Sequence, residues 1–425
     1  MIIILGILLI LLALFGTPLF VILGAIALYS FHAADIDTAA VIVELYRIAA
    51  VPTLLAIPLF TFAGYVMAES KTPQRMVALT DALFGWIPGG LAIVTLITCA
   101  FFTAFTGASG VTIVALGGLL YPILRKAGYP ENFSLGLLTS SGSLGLLFPP
   151  SLPIILYGFI AGINIEKLFL AGIIPGILLV ILLSIFSVRR GVKIHLPKTK
   201  FNFRTILKAS RAAIWEIPLP FIVVIGIYTG AFTATEAAAI TAFYVVIVEI
   251  FIYKDLSLFK DLPRIMRESM LLVGGIIVIL GTALGLTNYL IDEQIPMRIL
   301  AAIQTYITSK VLFLITLNIF LLIVGCLMDI FSAIIVVVPL IVPVATQFGI
   351  DPIHLGVIFL TNLEIGYSTP PVGLNLFISS FRFKKPVVQL YRAALPFLGI
   401  LLIALIIITY VPELSLWLVK LIAPK

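Results

Sequence analysis

Apolar residues in this chain come in long, nearly unbroken blocks, not in the alternation of half-buried strands or the single stripe of a soluble helix. Blocks at 2–15, 18–32, 52–69, 168–188, 212–231, 234–252, 270–290 and 391–411 predict membrane helices, since a crossing takes about 20 apolar residues. Four other stretches differ. Those at 88–127 and 310–348 are about twice a crossing in length. Those at 131–163 and 353–381 contain the runs GLLFPPSLP (Gly145–Pro153) and GYSTPPVGL (Gly366–Leu374). A proline inside a helix removes an N–H donor and clashes with the carbonyl one turn back, so each Pro-Pro pair predicts a break within the apolar layer. Segments 35–50 and 257–268 are amphipathic and predict helices along the membrane interface. Segments 73–85 and 296–309, each opening on Pro-x-Arg, are two further short amphipathic helices.

Composition supports this pattern. Of 425 residues, 62% are hydrophobic and 11% charged, against about 25% charged in soluble proteins. Gly and Pro inside apolar runs, without strand alternation, favour helices over a barrel. No polar stretch is long enough for a soluble catalytic domain. The opening MIIILGILLILLALFGTP lacks a basic leader and a small-x-small cleavage site, so 2–15 is expected to be a retained helix. Cys99 and Cys326 lie in apolar blocks and are expected to be free, packed thiols. His32, His195 and His354 are expected in terminal or loop positions and form no ligand cluster. P-loop, nucleophile-elbow, zinc and paired-aspartate patterns are missing, which argues against an enzyme and against ATP hydrolysis.

Charge sets the topology. Arg189, Arg190, Lys193, Lys198, Lys200, Arg204, Lys208 and Arg211 form a run without an acid. Such a run can bind nucleic acid, but without interleaved aromatics and between two membrane blocks it reads as a cytoplasmic linker, 189–211, that also suits anionic headgroups. If 88–127 and 310–348 each enter and leave on one side, both termini lie outside, and 20 of the 26 basic residues lie inside. If either stretch crossed, that bias would weaken. The expected fold is therefore an all-α polytopic membrane protein of two inverted-topology repeats, each with a re-entrant helical hairpin and a discontinuous helix. The first repeat covers 1–188 (hairpin 88–127, broken helix 131–163); the second covers 212–425 (hairpin 310–348, broken helix 353–381).

A shift of 221 residues pairs Gly64 with Gly285, Pro122 with Pro343, Gly128 with Gly349, Gly145 with Gly366, and Pro149–Pro150 with Pro370–Pro371. Inverted repeats with broken helices are the signature of secondary transporters, whose sites lie where the breaks meet. One Pro-Pro pair alone would read as a kink. Two in register, facing the tips FTGASG (Phe105–Gly110) and GCLMDIFS (Gly325–Ser332), read as a site. Carbonyls freed at each break suit a dehydrated sodium ion, with side-chain oxygens from Thr106, Ser109, Thr369 and Asp329. Freed N–H groups suit an anionic substrate. Asp329 reads as a functional intramembrane carboxylate or as a helix cap. Glu364 has the same claim more weakly, with pairing between domains as its alternative. Asn362 and its repeat mate Ser141 are expected to face the substrate. TATEAAA (Thr233–Ala239) reads as a helix cap.

GLLFPPSLPIILYG, GCLMDIFSAIIVVVPLIVPVA, GYSTPPVGLNLF and TGAFTATEAAA together resemble the large membrane (DctM) subunit of tripartite ATP-independent periplasmic (TRAP) transporters. Wider relatives are the sodium-coupled dicarboxylate carriers of the ion-transporter superfamily. The resemblance covers nearly the whole chain. It implies sodium-driven import of a small organic acid (a carboxylate or sulfonate) by an elevator motion of a transport domain against a scaffold. The implied setting is the inner membrane of a bacterium or archaeon. The implied partners are a small four-helix membrane subunit (DctQ-like), expected as a separate polypeptide, and a periplasmic substrate-binding protein (DctP-like). No cofactor is expected besides the coupling ion. Carried over by motif, one sodium site uses Thr106, Ser109, Gly145, Phe148 and Pro150, and the other Gly325, Asp329, Gly366, Thr369 and Val372. The substrate-facing positions are Ser141, Asn362, Ala108 and Ser332. Where the family's first tip usually reads Ser-Gly-Ser-Ser, this chain has Thr106-Gly107-Ala108-Ser109, so Ala108 lacks a hydroxyl. The alternative is a stand-alone sodium- or proton-coupled dicarboxylate-type carrier.

Overall fold

The computed structural model describes Leu12 and residues 17–194, 201–307 and 309–422. All of the expected helix at 2–15 except Leu12, together with His195, Lys198 and Lys200, lies outside the described residues. In the first half, α1 (Leu19–Ala33) and α2 (Ala39–Ala49) precede α3 (Ala56–Glu69), α4 (Thr72–Phe84) and the pair α5 (Gly90–Thr106) and α6 (Ser109–Lys126). Then α7 (Glu131–Ser141) breaks into a 3₁₀ turn at Leu144–Leu147 before α8 (Leu152–Ala161), and α9 (Ile165–Lys193) follows. The second half opens with α10 (Phe203–Ala212), α11 (Pro218–Tyr228) and α12 (Ala234–Val246), the last extended by a π-helical turn at Ile247–Ile252. Next come α13 (Asp261–Asp292), α14 (Ile295–Tyr306) and the pair α15 (Lys310–Leu327) and α16 (Ile330–Gln347). The broken helix is α17 (Pro352–Gly366) with α18 (Leu374–Phe383), and α19 (Val387–Tyr410) and α20 (Glu413–Ile422) end the fold.

Local chemistry sets the boundaries. Thr233 caps α12 in a reciprocal box with Glu236, and Asp351 caps α17 by accepting from the N–H groups of Ile353 and His354. His354 is therefore a buried helical residue, not a loop residue; its ring meets Ser415 Oγ at 3.1 Å and the Thr409 carbonyl at 3.3 Å. His32 likewise lies within α1. The expected interfacial helix at 257–268 does not exist separately, because α13 runs through it and the following span. Pro263 falls in the first turn of α13, where a missing N–H breaks no bond. The expected span 212–231 is helical only from Pro218 to Tyr228.

Seven of the described helical segments are long and apolar enough to cross a membrane, and the α7–α8 pair, bent by 46°, makes an eighth. Ile181, Ile185, Phe243, Ile319, Ile323 and Ile406 project outward from α9, α12, α15 and α19, as lipid solvation allows. Two of the seven, α15 and α16, double back on each other. Lys310 Nζ at the start of α15 donates to the Gly349 carbonyl beyond the end of α16 at 2.8 Å, and Phe313 stacks on Phe348 at 4.4 Å. An 18-residue helix is about 27 Å long, so these contacts require a hairpin.

From α4 to α9 the first half matches α14 to α19 of the second, whereas α2 and α3 both fall on the single helix α13. Shifted by the spacing that separates Ser143 from Glu364, 221 residues, α6 coincides end to end with α16. Both Pro-Pro bonds are cis, and Gly128 and Gly349 both have positive φ. Cross-packing is reciprocal: α6 packs on α18 and α16 on α8, while α7 packs on α19 and α17 on α9. That is the pattern of a two-fold relation. Ser143 and Glu364, which are repeat mates, touch directly, with the Ser143 hydroxyl donating to the Glu364 carbonyl at 3.3 Å.

Away from the breaks, Arg75 on α4 ties that helix to the second half. It donates to Glu216, to both Glu249 oxygens at 2.9 Å and to Asp255 at 2.5 Å, and lies 3.8 Å above the Tyr253 ring. Burial alone would raise the Asp255 carboxyl, but the hydrogen bonds and charges of Arg75 and Lys71 hold it below the ordinary carboxylate range.

Candidate functional site at the two helix breaks

The first break runs from Gly142 to Ser151 and lies against the tip of the first hairpin. A Cβ on Gly145 would fall 2.3 Å from the Ala100 carbonyl and 2.4 Å from the Ala104 nitrogen; only glycine permits this approach. The Thr103 hydroxyl donates to the Gly142 carbonyl at 2.7 Å and meets the Thr112 hydroxyl at 2.8 Å. Thr106 is fully buried, its hydroxyl 3.4 Å from the Ala108 carbonyl.

The second break repeats the arrangement. A Cβ on Gly366 would lie 2.5 Å from the Gly325 carbonyl carbon. Gly373 N–H donates to the Cys326 carbonyl at 3.0 Å, Cys326 Sγ donates to the Thr369 carbonyl at 3.2 Å, and the Tyr367 hydroxyl accepts the Ile330 N–H. Asp329 is the N-cap of α16. Its Oδ1 accepts from Phe331 and Ser332 N–H at 3.0 Å each, and its Oδ2 from the Ser332 hydroxyl.

The freed carbonyls are less bare than the sequence suggests. Gly145 accepts from Phe148 N–H at 3.0 Å, Phe148 from Ser151 N–H at 3.0 Å, and Gly366 from Thr369 N–H at 2.9 Å. Each break closes into tight turns that satisfy one lone pair and leave the second. What remains is a set of carbonyl and hydroxyl oxygens with one carboxylate, a hard donor set. Among the described residues, no group of three or more His, Cys, Asp or Glu is placed to hold a metal ion.

A hydrogen-bonded chain joins the two tips. The Ser109 hydroxyl donates to Asn375 Oδ1 at 2.7 Å, Asn375 N–H donates to the Tyr367 carbonyl at 3.0 Å, and Tyr367 holds Ile330. Asn375 Nδ2 also reaches the Thr139 carbonyl at 3.3 Å, and Thr139 Oγ1 donates to Ser379 at 2.8 Å. Thr103, Tyr367, Asn375 and Ser379 were not singled out from the sequence. The signal for Asn375 is an amide in an apolar run just past the Pro-Pro pair; its partner is 266 residues away.

The remaining expected positions have their own local partners. Asn362 is fully buried and donates to Asn318 at 2.7 Å and to the Ile358 carbonyl at 2.8 Å, so its amide is turned toward α15. The Ser141 hydroxyl lies 3.4 Å from the Leu138 carbonyl. Ala108 is the N-cap of α6, and Ser332 is held by Asp329. The Phe148 ring packs on Gly176 and faces an apolar cavity of about 390 Å³ beside Pro220 and Val224 of α11. The Pro150 backbone is enclosed, whereas Pro371, Val372 and Asp329 are exposed. The second break is thus open to the surface and the first is closed.

A family model described as "Tripartite ATP-independent periplasmic transporter, DctM component" matches residues 5–414. The chain belongs to this family. It is 38% identical over 395 residues to the C4-dicarboxylate TRAP transporter large permease protein DctM of Pseudomonas aeruginosa, covering 92% of each chain. It is 36% identical over 368 residues to the isethionate TRAP transporter permease protein DctMQ of Oleidesulfovibrio alaskensis, covering 86% of this chain and 58% of that one. It is 32% identical over 370 residues to the ectoine/5-hydroxyectoine TRAP transporter large permease protein UehC of Ruegeria pomeroyi, covering 86% of each chain. Its fold resembles the crystal structure of the YdaH transporter of Alcanivorax borkumensis, with TM-score 0.62 and 13% identity, covering 87% of this chain and 86% of that one. This DctM component is a multi-pass membrane permease and not an enzyme.

Proposed function

We propose that this DctM component imports a small organic acid in symport with sodium, by elevator movement of its two hairpins and broken helices. The observation that carries the reading is the pair of tip–break contacts, at Gly145 and at Gly325–Gly366, bridged by Ser109, Asn375 and Tyr367. One sodium site draws on Thr106, Ser109, Gly145, Phe148 and Pro150; the other draws on Gly325, Asp329, Gly366, Thr369 and Val372. Occupied sites set the tips, and the substrate's anionic group lies between them near Ala108 and Ser332. The relatives named for C4-dicarboxylate and isethionate, a sulfonate, support an anionic substrate. They do not single one out, because their identities to this chain are close. A binding protein delivers the substrate from outside, and a small membrane subunit completes the scaffold in the inner membrane. The basic linker faces the cytoplasm and both termini face outside.

The test is uptake into vesicles carrying the membrane subunits, supplied with the binding protein and an inward sodium gradient. Uptake is expected to collapse when the gradient is dissipated. Asp329→Asn keeps an N-cap acceptor and removes the charge; it is expected to lose at least tenfold in uptake with unchanged thermal stability. Uptake indifferent to sodium would overturn the reading, and uptake by this chain alone would favour a stand-alone carrier.

A further inference from the structure

Glu364 lies on α17, two residues before the second break, and is fully buried. Neither carboxyl oxygen has a hydrogen-bond partner among the described residues. Its backbone, by contrast, is engaged, its carbonyl receiving the hydroxyl of its repeat mate Ser143. The first half thus presents a serine where the second presents an acid, and this contact joins the segments leading into the two breaks.

Ionisable groups on the elements packed around Glu364 are engaged elsewhere. Tyr157 on α8 bonds the Pro352 carbonyl, and His354 on α17 bonds Ser415 and Thr409. On α15, Lys310 bonds Gly349 and Cys326 bonds Thr369. Asp329 caps α16, Tyr367 holds Ile330, and on α20 Glu413 pairs with Lys420. The charges of α9 lie in its terminal turns, at Glu166, Lys167, Arg189, Arg190 and Lys193, and Arg392 lies in the second turn of α19. None of these groups bonds Glu364, whose two carboxyl oxygens are without a hydrogen-bond partner among the described residues.

An isolated carboxylate is strongly disfavoured in a low-dielectric interior, and such a group neutralises instead. A sodium ion would need several oxygens converging on the carboxylate, yet the nearby Ser143 hydroxyl is turned to the backbone carbonyl. We propose that Glu364 is a proton-binding site at the junction of the two breaks, holding a proton in this conformation. The carrier thus keeps a neutral carboxylic acid beside its two breaks. Water reaching this junction as the halves separate would let the acid exchange its proton.

The test is infrared spectroscopy of the purified chain in lipid at pH 8, comparing wild type with Glu364→Gln and using Glu249→Gln, a second buried glutamate, as control. Wild type is expected to show a protonated-carboxyl band that shifts in D2O, is lost in Glu364→Gln and remains in Glu249→Gln. Thermal stability of Glu364→Gln and Glu364→Met is expected to match wild type, because a neutral acid without a partner has no bond to lose. A spectrum unchanged by Glu364→Gln, a band abolished by adding sodium chloride, or failure of both Glu364 variants to fold would each overturn the proposal.

Discussion

A methyl group at Gly145 or Gly366 would meet main-chain atoms within 2.5 Å, and main chain cannot rotate aside. Overpacking costs about 1–3 kcal/mol where side chains can yield, so Gly145→Ala and Gly366→Ala are expected at or beyond the upper end of that range. Thermal unfolding in detergent should show a fall of several degrees, with uptake lost. Gly399→Ala on α19 is the control, since nothing lies within 4 Å of its added Cβ; it is expected to be neutral. These two sensitive glycines were legible in the sequence through their shared spacing. The partner of Asn362 was not legible, because a polar residue near a break faces whatever its helix rotation dictates, and here its Nδ2 meets Asn318. Ser109 was noticed but its partner was not.

At the scale of elements, α4 is fixed by one guanidinium serving three acids from the second half. Arg75→Ala leaves Glu216 and Glu249 buried without their cation and Asp255 with Lys71 alone; breaking such a buried pair costs about 3–5 kcal/mol. Arg75→Lys should recover only part, because an ammonium lacks the planar fork. The sign of the pH dependence follows from Asp255, whose carboxyl is held below its ordinary value. Its contribution is complete above the unfolded-state pKa and is lost as pH falls through the lower folded value. Thermal stability measured against pH should therefore drop on the acid side in wild type, and less steeply in Arg75→Ala. Element ends were readable where chemistry is local, as at Thr233 and the Pro-Pro pairs. The joining of 257–268 to the following span was not, because amphipathic and lipid-facing stretches of one helix differ in composition, not in backbone.

Across the whole molecule, the reciprocal packing of the halves and the closed base of the second hairpin bear on sidedness. Single cysteines introduced at Trp86 and Lys126, in a chain lacking Cys99 and Cys326, flank the first hairpin; those at Val311 and Gln347 flank the second. With a membrane-impermeant thiol reagent, each pair is expected to react from one side only, the first pair from the cytoplasm and the second from outside. A pair split between the two sides would exclude a hairpin at that position. The two breaks are unequally exposed, with Pro150 enclosed and Val372 open.

The sequence by itself determined that the protein lives in lipid, that its helices break at Pro149–Pro150 and Pro370–Pro371, and that one half repeats the other. Apolar length, missing N–H donors and constant spacing are properties of the covalent chain. The tertiary structure alone decided which polar groups meet. The bonds of Ser109 to Asn375, of Arg75 to Glu249 and of Ser143 to Glu364 each span more than 170 residues. Partners so distant in sequence are set by how helices pack and rotate against one another, and that information is not carried by any short segment of the chain.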